Sequence, residues 1–203
     1  MEDDATRIAE LERRVAELEA QRIGLWPTVA ALVLVAAVGL AGVLLPRQGR
    51  AEAELLVELA GAYQAAGASE EALRVLDEAV AVGVDGVEMM GRVGELYYEL
   101  EAYEKAIPLL EEAVERAPQN EEIRLTLAQS YTGAYRYRDA IAQYEVLIQL
   151  APSNNQYYLA MANRYRNIQD YEEALAQYNQ LLEDNPTYWP AYYWAGETYR
   201  EMG

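Results

Sequence analysis

From Ala53 onward, apolar positions recur three and four residues apart in short runs broken by turns, which predicts amphipathic helices rather than strands. In "EEIRLTLAQSYTGAYRY", Leu127, Ala128 and Tyr131 share one helical face. In "RDAIAQYEVLIQLAPSN", Ala140, Ile141, Tyr144 and Leu147 share another. This two-helix pattern repeats without gaps at a period of 34 residues. Ala72, Ala106, Ala140 and Ala174 fall one period apart, as do Tyr63, Tyr97, Tyr131, Tyr165 and Tyr199. So do the small residues Ala60, Gly94, Ala128, Ala162 and Gly196. Pro118, Pro152 and Pro186 close three of the repeats, and Gly83 to Gly86 supplies the turn in the first.

Small residues recur where two helices must approach closely, and bulky ones where the space between repeats must be filled. The pattern resembles the tetratricopeptide repeat (TPR) family over Ala53 to Gly203. It divides into units 53–86, 87–120, 121–154 and 155–188 and a half unit 189–203. The resemblance implies an all-α solenoid of helical hairpins in a right-handed superhelix, with a concave inner face that binds other proteins. Family groove positions come from the first helix of each unit. Transferred here they include Glu88, Gly91, Glu95, Tyr98 and Glu99, then Leu125, Gln129 and Gly133, then Leu159, Asn163, Arg166 and Asn167. The groove would run from acidic to weakly basic, with Tyr98, Leu125 and Leu159 as anchors. Some relatives grip a terminal carboxylate with a Lys/Asn/Arg set. The matching positions here are largely acidic or apolar, so that activity does not carry over.

The half unit brings a first helix, Trp189 to Gly203, without its second. Tyr192, Ala195, Gly196 and Tyr199 are expected to pack. Tyr192, Tyr193, Trp194 and Tyr199 would then form a docking end that further sequence or another chain covers.

Ahead of the repeats, residues 24–45 form an apolar stretch. Leu25 to Leu45 carries no charge and at about 1.5 Å per residue matches a hydrocarbon core of about 30 Å. It predicts one transmembrane helix, with Pro27 in its first turn and Trp26 at the interface. A cleaved signal peptide is the rival, with Ala51 and Ala53 as a small-x-small site, but the charged stretch before it is too long. Arg7, Arg13, Arg14 and Arg22 precede the run and Arg47 and Arg50 follow it. This bias puts the N-terminus in the cytoplasm and the repeats in the periplasm. Residues 46–52 read as a short connector of at most about 28 Å when extended. Residues 1–23 carry Ile8, Leu11, Val15 and Leu18 at heptad a/d spacing. Two heptads leave open a dimeric coiled-coil seam, and so a homo-oligomer, or a lone amphipathic helix.

Composition removes most chemistry. The chain has neither histidine nor cysteine, which excludes His acid/base catalysis, Cys nucleophiles and structural zinc of the usual kinds. The net charge is −18, with 27 of the 34 acidic residues after residue 50, a surface that repels nucleic acid. Ser69, Ser130 and Ser153 have no histidine to activate them. Adjacent acidic residues such as Glu121 and Glu122 diverge by about 100° on a helix and make no catalytic pair.

No enzyme, cofactor or metal site is expected. The function that remains is a scaffold in the cytoplasmic membrane, an accessory subunit whose protein partners lie in or near the bilayer. A holdase-type chaperone and a self-assembling scaffold are the alternatives. If the repeat phase is right, Ala140→Leu overpacks a helix pair and lowers stability by about 1–3 kcal/mol. Thermal denaturation checks this, and an unchanged midpoint contradicts the phase.

Overall fold

The computed structural model describes residues 5–18 and 41–203, with the side chains of 41–48 left out. The described residues are helical throughout apart from turns. α1 covers 5–18, and the next three helices are α2 (Ala41–Ala65), α3 (Ser69–Gly83) and α4 (Val87–Glu99). Six more follow: α5 (Tyr103–Arg116), α6 (Glu121–Gly133), α7 (Tyr137–Leu150), α8 (Asn155–Asn167), α9 (Tyr171–Asp184) and α10 (Trp189–Met202). The pairs fall where the 34-residue period puts them.

The chain divides after Leu100 into two compact units, the second being Glu101–Gly203. The single solenoid domain expected over 53–203 is thus cut inside its second repeat. Within the second unit each helix packs on its predecessor and its successor about equally. A solenoid built of nearest-neighbour interfaces of similar size has no preferred cut at repeat boundaries.

The connector expected over 46–52 is instead part of α2. Arg47, Gln48, Arg50, Ala51 and Glu52 are good helix formers and carry the helix past Pro46 and Gly49, and Arg50 Nε donates to Glu54 Oε1 at 3.0 Å one turn on. As helix, the eight steps from Leu45 to Ala53 span about 12 Å rather than 28.

In both units the periodic small residues are the contact points. Ala60, Ala72, Ala106, Ala128, Ala140, Ala162 and Ala174 are completely buried, and around them sit Leu56, Leu76, Leu110, Leu127 and Leu147. Each such leucine contributes about 1.5–3 kcal/mol by leaving water. The turn inside each hairpin is equally regular. Gly67, Glu101, Tyr135 and Gln169 lie 34 residues apart, and all have positive φ, between 57° and 77°. Three of these turns show the same closing bond. The amides of Ala68, Arg136 and Asp170 donate to the carbonyls of Tyr63, Tyr131 and Tyr165 at 2.8–3.0 Å. This is the αL helix ending that glycine favours, and three non-glycine residues adopt it at a cost.

The periodic tyrosines have a second task at the other end of their side chains. Tyr97 Oη donates to Asp77 Oδ1 at 2.8 Å, and Tyr131 Oη donates to Glu111 Oε1. Both acids lie 20 residues upstream, on the second helix of the preceding repeat. Burial first, then the carboxylate partner, pushes both hydroxyls well above the usual tyrosine range.

A proton held more tightly in the folded chain contributes stability that is present below the unfolded tyrosine pKa of about 10 and is lost as pH rises above it. Stability measured by urea denaturation should therefore fall between pH 10 and 12, and less steeply in Tyr97→Phe and Tyr131→Phe. Equal slopes in parent and variants contradict this.

Candidate protein-binding surfaces

In the first unit, α2 and α4 flank a cleft of about 620 Å³ that the turn residues Asp85 and Gly86 also line. Val57 and Met89 give it apolar wall. Glu54, Glu58 and Glu88 give it negative charge, and Arg50 and Arg92 reach its rim. Both arginines are tied to acids of their own helices, Arg50 to Glu54 and Arg92 to Glu95 at 2.8 Å. Glu88 and Glu95 are expected groove residues, and Glu95 is engaged by this pair. Tyr98 is half-buried and Glu99 exposed on the same helix.

In the second unit the expected groove positions are more occupied than the sequence suggests. Leu125 and Gln129 are half-buried on α6. The Tyr103 ring lies so close to Gly133 that a Cβ there would meet it at 2.5 Å, so this position is filled. Leu159 packs in part against the buried cluster of Ala162, Ala174, Tyr178 and Ala191. Asn163 Oδ1 accepts the Tyr178 hydroxyl at 2.6 Å, a group that burial pushes up to about 12.

Arg166 is not a free cation. Its Nη1 donates to Glu201 Oε1 at 2.9 Å, and its guanidinium stacks over the Trp194 ring, 4.5 Å from the centroid. The weakly basic end expected for the groove is thus neutralised by α10. The partners lie 35 and 28 residues further on, beyond the reach of any local sequence pattern.

The α10 helix corrects the expected packing of the half unit. Ala191 and Ala195 are buried and Trp194 half-buried, but Tyr192, Tyr193 and Tyr199 are 53–59% exposed, and Trp189 is 72% exposed. Gly196 is also exposed. Tyr192, Gly196 and Tyr199 occupy the face that a second helix covers in complete repeats. Among the described residues none follows α10.

The heptad seam of α1 is turned onto its own chain. Leu11 is buried, Ile8, Val15 and Leu18 are half-buried, and Glu12 accepts the Tyr63 hydroxyl from α2. The apolar run falls almost entirely outside the described residues, only its last five opening α2. Among the described residues no helix is long and apolar enough to cross a membrane. Nor, among them, do three His, Cys, Asp or Glu side chains converge as a metal site would require.

Arg166→Gln removes one partly exposed ion pair and one stacking contact, and should cost about 1 kcal/mol. Faster amide exchange confined to α10 is the expected sign, and unchanged exchange there contradicts the anchoring role.

Comparison with known proteins agrees with this architecture. Family models described as tetratricopeptide repeat match residues 57–121 and 97–163, and a TPR repeat model matches 162–203. Among solved structures, YrrB, described as a TPR protein with an unusual peptide-binding site, aligns with a TM-score of 0.60. It shares 18% identity over 73% of this chain and 82% of its own. MamA AMB-1 aligns at 0.57 with 26% identity, over 64% of this chain and 77% of its own. MamA MSR-1 aligns at 0.59 with 22% identity, over 87% of this chain and 95% of its own. Among curated proteins none matches. The chain belongs to the tetratricopeptide repeat family.

Proposed function

We propose that this protein is a TPR scaffold attached to a membrane through residues 25–45, where it serves as an accessory subunit of a membrane protein complex. The observation that carries the binding part is the open cleft between α2 and α4. Its two rim arginines are already paired with acids, which leaves Glu58 and Glu88 to face a ligand beside apolar Val57 and Met89. Such a cleft suits an extended partner segment with a basic side chain next to an apolar one. The peptide-binding site ascribed to YrrB supports this use of the fold.

The membrane part rests on sequence. Eleven of the 21 residues from Leu25 to Leu45 are leucine or valine. At about 1.5–3 kcal/mol each, their removal from water outweighs any contact that α1 makes with one buried and three half-buried side chains. The arginine bias then directs the N-terminus to the cytoplasm and the repeats to the periplasm. Because α2 includes the last five residues of the apolar run, the first repeat would leave the bilayer as one unbroken helix. That brings the cleft close to the membrane surface and favours membrane-embedded partners.

A photo-crosslinking residue placed at Met89, and separately at Tyr193, tests this in native membranes. One membrane protein captured in fixed ratio, in the carbonate-resistant fraction, is the expected outcome. A scatter of substoichiometric adducts supports the chaperone alternative instead, and adducts only between copies support a self-assembling scaffold.

A further inference from the structure

The tyrosine–acid bond recurs at a fixed register, and its first member is anomalous. Tyr97 and Tyr131 each reach an acid 20 residues back, on the preceding second helix. For Tyr63 that position is Val43, in its own helix, and its hydroxyl donates instead to Glu12 of α1. The residues around Glu12 match a second helix. α7 carries Ile141, Tyr144, Glu145 and Ile148, and α1 carries Ile8, Leu11, Glu12 and Val15 at the same spacing.

Exposure matches at three of the four positions, Ile141 being buried where Ile8 is half-buried. Tyr144 and Leu11 are buried, Ile148 and Val15 half-buried, and Glu145 and Glu12 exposed. The difference is equally informative. α7 lies between α6 and α8 and buries a second stripe, Ala140 and Leu147. At those two places α1 has Arg7 and Arg14, both exposed, so no second described helix covers that stripe.

We propose that α1 is a detached second helix, which closes the N-terminal end of the solenoid by covering the Tyr63 face of α2. The closure has a consequence that rests on the membrane reading above. The segment joining α1 to α2 contains most of the apolar run, so a single crossing carries α1 and Tyr63 to opposite sides of the bilayer. Capping and crossing are alternatives. The cap belongs to the chain before insertion, and insertion uncovers the first repeat.

The absence of cysteine permits a clean test in the full chain. Glu12→Cys and Tyr63→Cys are combined, the chain is synthesised with and without sealed inner-membrane vesicles, and a short bis-maleimide is added. The expected result is an intramolecular crosslink at monomer mass in the free chain, abolished by Leu11→Asp and at least tenfold weaker in the carbonate-resistant fraction. A free chain that gives no crosslink, gives only crosslinked dimers, or still crosslinks in the Leu11→Asp background overturns the cap. A crosslink that persists at full strength in the carbonate-resistant fraction overturns the alternation. Complete extraction by carbonate overturns the membrane reading and the alternation with it, and the crosslink of the free chain then still decides the cap.

Discussion

The hydrogen bond from a first-helix tyrosine to an acid on the preceding second helix sets the register of this protein. Apolar burial holds neighbouring helices together, but it is tolerant of sliding, since leucine against alanine fits at several offsets. A buried hydroxyl is not tolerant. Left unpaired, Tyr97 or Tyr131 would cost about 1–3 kcal/mol, and the acceptors Asp77 and Glu111 stand at the same register, 20 residues back. The backbone carbonyls of Tyr63, Tyr131 and Tyr165 close the hairpin turns as well. Tyr131 does both: it ties its helix to the repeat before it through its hydroxyl, and ends its helix through its carbonyl.

Much of this was legible in the sequence because a solenoid writes its contacts periodically. The buried alanines at 72, 106, 140 and 174 and the tyrosines at 63, 97 and 131 could be read as a set. The turn residues could not. Glycine at 67 announces a left-handed turn, whereas Glu101, Tyr135 and Gln169 give no local hint that they adopt one. The segment 46–52 holds Pro46 and Gly49, which suggest a connector, although Arg47, Gln48, Arg50, Ala51 and Glu52 favour helix and Arg50 pairs along it with Glu54.

The binding surfaces were less legible, for a physical reason. A family position states that a side chain points inward, but not whether another part of the chain has already engaged it. Arg166 points inward and is held by Glu201 and Trp194; Asn163 is held by Tyr178; Gly133 is overlaid by Tyr103. All these partners come from other helices. Tyr192 and Tyr199 failed in the opposite sense, since they have the packing pattern but no described helix packs on them. Among the described residues, the cleft of the first unit and the aromatic face of α10 are open, two surfaces of contrasting chemistry, one acidic and one apolar.

The claim that carries most of this account is that the tyrosine–acid bonds couple successive repeats rather than decorate an interface already fixed by packing. A double-mutant cycle of Tyr131→Phe and Glu111→Gln, read by equilibrium urea denaturation, measures that coupling directly. The account predicts a coupling energy of about 1 kcal/mol or more between the two sites. Additive effects of the two substitutions would contradict it.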